Sequence, residues 1–273
     1  MSILENPIGV FDSGVGGLSV LRAMRAQMPA ENMIYLGDQE HVPYGPRPMQ
    51  EIQKFSEGIT RFLLQKNSKL IVVACNTASA AALTTLRGQF SDVSFVGMEP
   101  AVKPAAETTK TGKVGVLATP ATFQGELYAS VVERFGAGVE LFQHTCPGLV
   151  SQIEKGELDS ITTRLILEEA LYPMLEKNID TVVLGCTHYP FVIPLIERIV
   201  GENVRVIDPA PSVARQAKRL LEAGNMINQT GKDAGVRFFT SGDAASMKSL
   251  LPLWLGMNEK VETIRWMEDR EIR

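Results

Sequence analysis

The sequence VVACNTAS at Val72–Ser79 has a close variant, VVLGCTHYP at Val182–Pro190, so that Cys75 and Cys186 lie about 111 residues apart. Each cysteine ends an apolar run rich in β-branched residues, which predicts a strand buried on both faces. The hydroxyl and amide side chains that follow are typical of helix N-termini. Both cysteines are therefore predicted at the carboxyl ends of parallel strands, where open α/β sheets bind ligands and helix N–H groups attract an anion.

Other landmarks repeat in the same order. Val114–Thr119 resembles Ile8–Ser13 at an offset of about 106, and Val139–His144 falls where a repeat of Met33–Asp38 is expected. Landmarks matched in one order indicate two halves with the same topology. We therefore predict an α/β fold of two pseudo-symmetric α/β domains with mainly parallel sheets, and an active site in the cleft between them.

The predicted domain limits are residues 1–98 plus 208–273 for the first domain and 99–207 for the second. The tail is assigned to the first domain because the second half already has its landmark strands before residue 208. Within this scheme Glu99–Gly112 is a predicted helix, and Ile264–Trp266 is a predicted edge strand.

Composition indicates a globular protein and narrows the partners. Of the 273 residues, 45% are hydrophobic and 21% charged, and the net charge of −4 provides no basic field to attract nucleic acid. No segment has the roughly 18 uninterrupted apolar residues of a membrane helix, and no signal peptide is recognisable, so we expect a cytoplasmic protein. The three cysteines form no C-x-x-C pair, which argues against a disulfide framework and a structural zinc site.

A glycine-rich loop, Asp12–Gly17, follows the strand predicted at Ile8–Phe11. A nucleotide site is disfavoured because Ser19 stands where G-x-G-x-x-G requires glycine, and no Gly-Lys-Ser/Thr triplet follows. The glycines are better explained by a tight turn and close backbone approach. Asp12 and Ser13 would then lie at the end of the strand as site candidates, with helix capping as the alternative.

Two further features remain open at this stage. The loop Gln39–Pro48 has neither helical nor strand periodicity and is predicted to cover the site. Tyr44 within it could contact a ligand or be a packed surface aromatic. Cys146 has no counterpart in the first half, so we expect a small buried or loop thiol there.

Two thiols on opposite sides of one bound molecule are suited to proton exchange at a stereocentre. One thiolate removes a proton from one face, and the opposite thiol delivers another, so that the centre inverts. A helix N-terminus is expected to lower the pKa of each thiol toward neutrality. Asp12 and His188 are candidate polarising partners. The alternative is that both cysteines are structural residues at tightly packed strand ends.

Four motifs, taken together, resemble one family: IGVFDSGVGGL at Ile8–Leu18, Pro43–Gly45, Cys75–Ser79 and Gly185–Pro190. They resemble the glutamate racemases of the cofactor-independent aspartate/glutamate racemase superfamily, and the resemblance covers nearly the whole chain. It implies interconversion of L- and D-glutamate without pyridoxal phosphate, another cofactor or a metal. It also implies a supply of D-glutamate for bacterial peptidoglycan, and a homodimer.

The resemblance assigns roles by matching motif positions. Cys75 and Cys186 would be the acid/base residues, supported by Asp12, His188 and, as an auxiliary acid, Glu154. The substrate would be held by Asp12, Ser13, Tyr44, Gly45, Asn76, Thr77, Thr119, Thr187 and His188. The chain departs from the usual pattern at Gln39–His41, where Thr-Ala-Arg is more frequent, and at Ser151, where proline is usual.

Two other functions stay open from the residues themselves. The two-thiol layout does not identify a side chain, so a racemase of aspartate, a hydantoin or a substituted malonate is the alternative enzyme. A two-lobed binding module would use the same cleft, but it gives no reason for paired cysteines.

Overall fold

A computed structural model describes residues 3–229, 234–267 and 271–272. The strands are, in chain order, β1 (Ile8–Asp12), β2 (Met33–Gly37), β3 (Leu70–Val73), β4 (Phe95–Gly97), β5 (Lys113–Ala118), β6 (Glu140–His144), β7 (Thr181–Gly185), β8 (Arg205–Ile207), β9 (Val236–Thr240) and β10 (Val261–Thr263). The α-helices are α1 (Leu18–Gln27), α2 (Met49–Gln65), α3 (Asn76–Gln89), α4 (Val102–Thr108), α5 (Pro120–Gln124), α6 (Glu126–Phe135), α7 (Leu149–Glu154), α8 (Ile161–Glu176), α9 (Ile193–Val200), α10 (Ala210–Ala223) and α11 (Ala244–Leu255). Short 3₁₀ helices occupy Ile3–Glu5 and Tyr189–Val192.

The strands of the described residues form two sheets in which every pairing is parallel. The first sheet has the order β10-β9-β2-β1-β3-β4, and the second has the order β6-β5-β7-β8. The segment β2-β1-β3-β4 of the first sheet matches the whole second sheet strand for strand. The predicted repeat and fold class are therefore confirmed, because β3 and β7 hold equivalent places in their sheets.

The sheets place the site residues through their register. All five residues of β1 and all five of β7 are buried, as expected for parallel strands covered on both faces. Phe11 of β1 pairs with Val73 of β3, so Asp12 and Cys75 lie at the same edge of the first sheet. In the second sheet Ala118 of β5 pairs with Gly185 of β7 just before Cys186.

Helix packing supports the assignment of the segments to two domains. Helix α4 packs against α6 and β7, whereas α10 packs against α1. We propose the limits expected from the sequence, residues 1–98 plus 208–273 and residues 99–207. The halves also contact each other, because the ring of Phe191 stacks on that of Trp254 with centroids 3.8 Å apart. Within the described part of the chain, no helix is long and apolar enough to span a membrane.

Three local predictions need correction. Helix α4 begins at Val102 rather than Glu99, because the residue before Pro100 is disfavoured in the α region. The edge strand is Val261–Thr263 rather than Ile264–Trp266, since Trp266 turns inward and its indole N–H donates to Asp38. Whereas α3 follows Cys75 directly, the α-helix expected directly after Cys186 starts only at Ile193.

The delay after Cys186 has a cause in the sequence. Pro190 carries no backbone N–H and disfavours the α region for the residue before it, whereas Pro194 lies in the first turn of α9, where proline is tolerated. The chain therefore forms a single 3₁₀ segment, Tyr189–Val192, before α9. Cys186 consequently lacks the helix N-terminus that Cys75 possesses.

Candidate active site

Cys75 is itself the N-cap of α3. Its sulfur accepts a hydrogen bond from the Ala78 N–H at 3.4 Å, and its thiol lies 3.9 Å from the hydroxyl of Ser13. Burial raises the pKa of the Cys75 thiol well above its ordinary value, and the carboxylate of Asp12 adds to this effect more than the Ala78 N–H offsets it. The prediction of a lowered pKa is therefore wrong for Cys75, because desolvation outweighs the helix N-terminus.

Cys186 has an ion pair beside it instead. Its sulfur lies 3.8 Å from Nδ1 of His188, and Nε2 of His188 lies 2.6 Å from Oε1 of Glu154. Glu154 is the last residue of the short helix α7, which brings it to the ring from a different part of the second half. The structure thus brings together Cys186, His188 and Glu154, as the resemblance implied.

The charges of this pair follow from competing effects. Burial alone would lower the pKa of His188, but hydrogen bonds to Cys186 and Glu154 and their negative charges raise it well above its ordinary value. Burial would raise the pKa of Glu154, but the bonds from His188, from the Val15 N–H and from Gln39 leave it below its ordinary value. The pair is therefore an imidazolium and a carboxylate at neutral pH.

Asp12, at the end of β1, is fully buried between the two halves. Its Oδ1 accepts a hydrogen bond from the Thr187 hydroxyl at 3.1 Å, and its Oδ2 accepts one from the Gly14 N–H at 3.0 Å. Burial raises the pKa of Asp12, and the positive charge of His188 only partly offsets this. Asp12 therefore holds the strand end of the second half rather than merely capping its own loop.

The backbone of the glycine-rich loop, Asp12–Gly17, packs directly against side chains of the second half. A Cβ at Gly14 would collide with the Glu154 carboxylate, and one at Gly16 would collide with the His188 ring. The Val15 N–H between them donates to Glu154 Oε1 at 2.8 Å. The predicted close backbone approach is confirmed, and the groups that approach are the side chains of Glu154 and His188.

Further hydrogen bonds cross between the halves at the cleft. The Ser19 hydroxyl donates to the backbone carbonyl of Thr187 at 3.0 Å. The hydroxyls of Thr77 and Thr119 lie 2.8 Å apart, so the residue two after Cys75 contacts the residue that follows β5. Each half thus holds the other at its strand ends, next to the cysteines.

Asn76 and Tyr44 differ in how their polar groups are satisfied. Asn76 is only 2% exposed, yet neither its amide nitrogen nor its amide oxygen has a hydrogen-bond partner among the described residues. The Tyr44 hydroxyl donates to Asp38 Oδ2 at 2.6 Å, and its ring stacks on Phe55. Tyr44 is therefore packed but buried rather than on the surface, and it also lines the cleft.

One cleft gathers most of the predicted residues. Its walls are Ser13, Pro43, Tyr44, Gly45, Cys75, Asn76, Thr77, Thr119, Val150, Cys186, Thr187 and His188. Asp12 and Glu154 lie behind these walls, where they form hydrogen bonds with the wall residues Thr187 and His188, respectively. The free volume is about 10 Å³, the room of roughly one water molecule. A larger ligand can therefore enter only if the walls move apart.

Sequence reasoning assigned no role in the site to Val150, Asp38 or Gln39, although Gln39 begins the loop that was predicted to cover it. Val150 lines the cleft from α7, and Asp38 and Gln39 follow the end of β2 and contact Tyr44 and Glu154. The position of Asp38 and Gln39 after a parallel strand was a usable signal, whereas nothing in the sequence marked Val150. No group of three or more His, Cys, Asp or Glu side chains in the described ranges is arranged to hold a metal ion.

Cys146 lies apart from the two facing thiols. It is buried on the wall of an adjoining cavity of about 250 Å³. Burial, together with the charges of Cys186 and Glu169, raises the pKa of Cys146 to about 12. The expectation of a small buried thiol is confirmed.

Comparison with known proteins identifies this arrangement. A profile of the Asp/Glu/Hydantoin racemase family matches residues 8–217. The glutamate racemase of Pseudomonas paraeruginosa is 48% identical over 261 residues, which are 96% of this chain and 98% of that protein. The chain belongs to the Asp/Glu/hydantoin racemase family. The resemblance inferred from the four motifs is thereby confirmed, and with it the assignment of the chain as a racemase.

Solved structures of this racemase family have the same fold. The glutamate racemase isoform RacE1 of Bacillus anthracis superposes with a TM-score of 0.85 at 35% identity, covering 94% of this chain and 97% of that one. The Escherichia coli glutamate racemase, solved with L-glutamate and the activator UDP-MurNAc-ala, gives 0.84 at 31% identity, with 95% and 98% covered. The Francisella tularensis glutamate racemase, solved with D-glutamate, gives 0.83 at 31% identity, with 95% and 97% covered.

Proposed function

We propose that the protein interconverts L- and D-glutamate by proton transfer between Cys75 and Cys186, without a cofactor. The observation that carries the proposal is the presence of one thiol from each half on the walls of a single cleft. The two sulfurs follow equivalent strands, β3 and β7, of the repeated sheets. Relatives that are 46% and 48% identical to this chain are glutamate racemases, which supports glutamate over aspartate or a hydantoin.

The reaction conserves protons and electrons. One cysteine thiolate takes the α-proton, the C–H electron pair stays on the α-carbon, and the opposite thiol gives its proton to the other face of that carbon. The first cysteine ends as a thiol and the second as a thiolate, so the two have exchanged roles. The raised pKa of Cys75 means that this residue is mainly in its thiol form, the form that donates a proton, in the structure described.

A positively charged side chain lies next to the sulfur of Cys186. The His188 imidazolium, held by Glu154, lies 3.8 Å from the sulfur and attracts negative charge there. Asp12, the other candidate polarising partner, accepts a hydrogen bond from the Thr187 hydroxyl. We therefore assign His188 and Glu154 to Cys186, and Asp12 to the geometry of both halves.

Substrate recognition is assigned to the first residues after the cysteines. A buried amide without protein partners is costly, so Asn76 is well placed to bind a polar group of the substrate. The α-carboxylate would lie against the unpaired N–H groups at the start of α3 and the hydroxyls of Thr77 and Thr187. Ser13, Tyr44, Gly45 and Thr119 complete the walls around it.

A chiral assay on L- and D-glutamate, L-aspartate and a hydantoin tests the substrate. We expect glutamate to be racemised fastest with no added cofactor; faster turnover of another acid would establish the alternative racemase. The two-thiol step is tested in heavy water. Deuterium should appear first at the α-carbon of the product, and retention of substrate hydrogen in the product would show that one base serves both faces.

The biological setting is part of the same proposal. A glutamate racemase supplies D-glutamate for peptidoglycan, and a cytoplasmic location suits an enzyme whose Cys75, Cys146 and Cys186 are all unpaired thiols. Growth of a D-glutamate-requiring bacterial strain on expression of this chain would test that role. Failure to support growth by a protein that is active in vitro would contradict it.

A homodimer is also proposed, and helix α8 supports it. Ile161, Leu165 and Tyr172 occupy one face of α8 and are 79%, 59% and 50% exposed. Such an apolar stripe is suited to a contact with a second copy. Light scattering of the native protein should give twice the mass of the monomer. The Leu165→Glu variant should give the mass of a single monomer. A monomeric native protein would contradict the dimer.

A further inference from the structure

Gln39 connects the end of the first sheet to the charged pair of the second half. Its Nε2 donates to Glu154 Oε2 at 3.1 Å, and its Oε1 accepts from the Thr240 hydroxyl at 2.8 Å. Thr240 is the last residue of β9, the neighbour of β2 in the sheet. The segment that completes the first domain therefore reaches the cleft through one amide side chain.

The orientation of this amide is determined by its neighbours. The Gly242 N–H donates to the Thr240 hydroxyl oxygen at 3.0 Å, which leaves the hydroxyl hydrogen to donate to Gln39. The amide oxygen must then face Thr240, and the NH₂ group must face Glu154. The packing is close as well, because a Cβ at Gly242 would lie only 2.7 Å from the Gln39 Cβ.

Glu154 depends on such contacts for its position. It ends a helix of six residues, and its Oε1 is shared by the Val15 N–H and His188. Gln39 supplies the hydrogen bond to the other oxygen, Oε2. Since Val15 and Gln39 both belong to the first half, that half fixes both oxygens of the carboxylate.

We propose that Gln39 is a positioning residue for the Cys186 side of the site, holding Glu154 against His188, with Thr240 fixing its amide. The inference rests on the proposed racemisation for its catalytic consequence. Loss of the Gln39 bond frees Glu154 to rotate away from the ring, and the imidazolium beside Cys186 is then less favoured. The other titratable groups around the pair, Asp12, Tyr35 and Cys186, are left in place.

Two substitutions and a matched control test the proposal. Gln39→Met keeps the length of the side chain and removes both hydrogen bonds, whereas Thr240→Val removes only the hydroxyl that orients the amide. Gln27→Met is the control, because Gln27 also uses its amide as a donor, to the Pro211 carbonyl at 3.0 Å, and lies outside the cleft. Thermal unfolding of each variant shows that it is folded.

The direct readout is the protonation of His188 by NMR. The protein has only three histidines, His41, His144 and His188, so a His188→Asn spectrum assigns the signal. We expect His188 to lose its proton about half a unit to one unit lower in pH in Gln39→Met, and by less in Thr240→Val. In parallel, kcat/KM for glutamate should fall about 3- to 30-fold in Gln39→Met and not in Gln27→Met.

The outcomes separate this inference from the proposed function. An unchanged His188 titration in both variants overturns the role of Gln39, whatever the rates. A changed titration with an unchanged kcat/KM overturns its importance for the reaction. If the native protein does not racemise glutamate, the proposed function fails instead, and the NMR titration still decides whether Gln39 holds Glu154 against His188.

Discussion

Cys75 and Cys186 occupy equivalent places in two copies of one topology, but their surroundings differ. Cys75 caps a helix of 14 residues and receives a backbone N–H, whereas Cys186 precedes a 3₁₀ segment and faces an imidazolium. The group next to the Cys75 sulfur is a backbone N–H at a helix N-terminus, and the group next to the Cys186 sulfur is the ion pair of His188 and Glu154. The repeat thus determines where the two thiols lie, and local chemistry determines how negative charge is stabilised at each.

The difference also explains how the halves are joined. The residues that support Cys186 are held by the first half, through Val15 and Gln39 on Glu154 and through Asp12 on Thr187. On the Cys75 side, the comparable hydrogen bond among the described residues joins Thr77 and Thr119. Movement of the halves to admit substrate should therefore disturb the Cys186 side more than the Cys75 side.

The largest expected effect comes from removing either thiol. Cys75→Ala and Cys186→Ala should each lower racemisation in both directions by about 10²–10⁴-fold, because every turnover needs one base and one acid. Each variant retains one thiol. That thiol can still remove the α-proton of the enantiomer whose proton faces it, and can return deuterium to the same face of the α-carbon. Proton exchange in heavy water should therefore persist for one enantiomer in Cys75→Ala and for the other in Cys186→Ala. Exchange of the same enantiomer by both variants would disprove opposed placement.

The next effect concerns the ion pair that only Cys186 possesses. Glu154→Gln should lower kcat/KM by about 10- to 100-fold, since His188 loses the charge that keeps it protonated. Because L- and D-glutamate are equal in energy, kcat/KM must fall equally in both directions, so a difference between the two sides can appear only in kcat and KM taken separately. Unequal changes in kcat for the two directions would support an ion pair that serves only Cys186. Equal changes would argue against it.

We also expect the difference in stability between the native protein and Glu154→Gln to depend on pH. Glu154 has a lowered pKa, so its contribution is present above its unfolded value of about 4.3 and is lost as pH falls through the folded value. His188 has a raised pKa, so its contribution is complete below about 6.5 and is lost as pH rises through the folded value. Urea unfolding from pH 4 to 9 should show the stability gap between native protein and Glu154→Gln widest between those limits. A gap that does not vary with pH would contradict a charged pair.

The strands and their repeat could be predicted because parallel strands buried on both faces leave continuous apolar runs, as at β3 and β7. The motifs also placed both cysteines at strand ends. The thiol pKa of Cys75 could not be predicted, because burial depends on how the halves dock and outweighs the helix N-terminus. The contact of Gln39 with Glu154, 115 residues away, depends on the same docking.

A smaller effect distinguishes the residues that follow the two cysteines, Asn76 and Thr187. Asn76 has no hydrogen-bond partner among the described residues, so Asn76→Ala should raise KM for glutamate by about 5- to 100-fold through a lost substrate bond. The Thr187 hydroxyl already donates to Asp12, so Thr187→Ala should raise KM less, by about 5-fold or below. Steady-state kinetics with both enantiomers measure this. The reverse order of the two effects would assign the main substrate contact to the second half.

The smallest expected effect is that of the third cysteine. Cys146 is not among the residues that line the cleft of Cys75 and Cys186, so it is not placed to exchange a proton with a substrate there. With its pKa raised to about 12 it is a thiolate in only about one molecule in 10⁵ at pH 7, so it should also react slowly with alkylating reagents. Cys146→Ala should keep kcat and KM within about two-fold, at a stability cost of about 1 kcal/mol for the lost buried sulfur. Alkylation of the native protein followed by peptide mass analysis should leave Cys146 unmodified. A large loss of activity would mean that a thiol outside the repeat takes part, and the pairing of Cys75 with Cys186 would no longer account for the reaction.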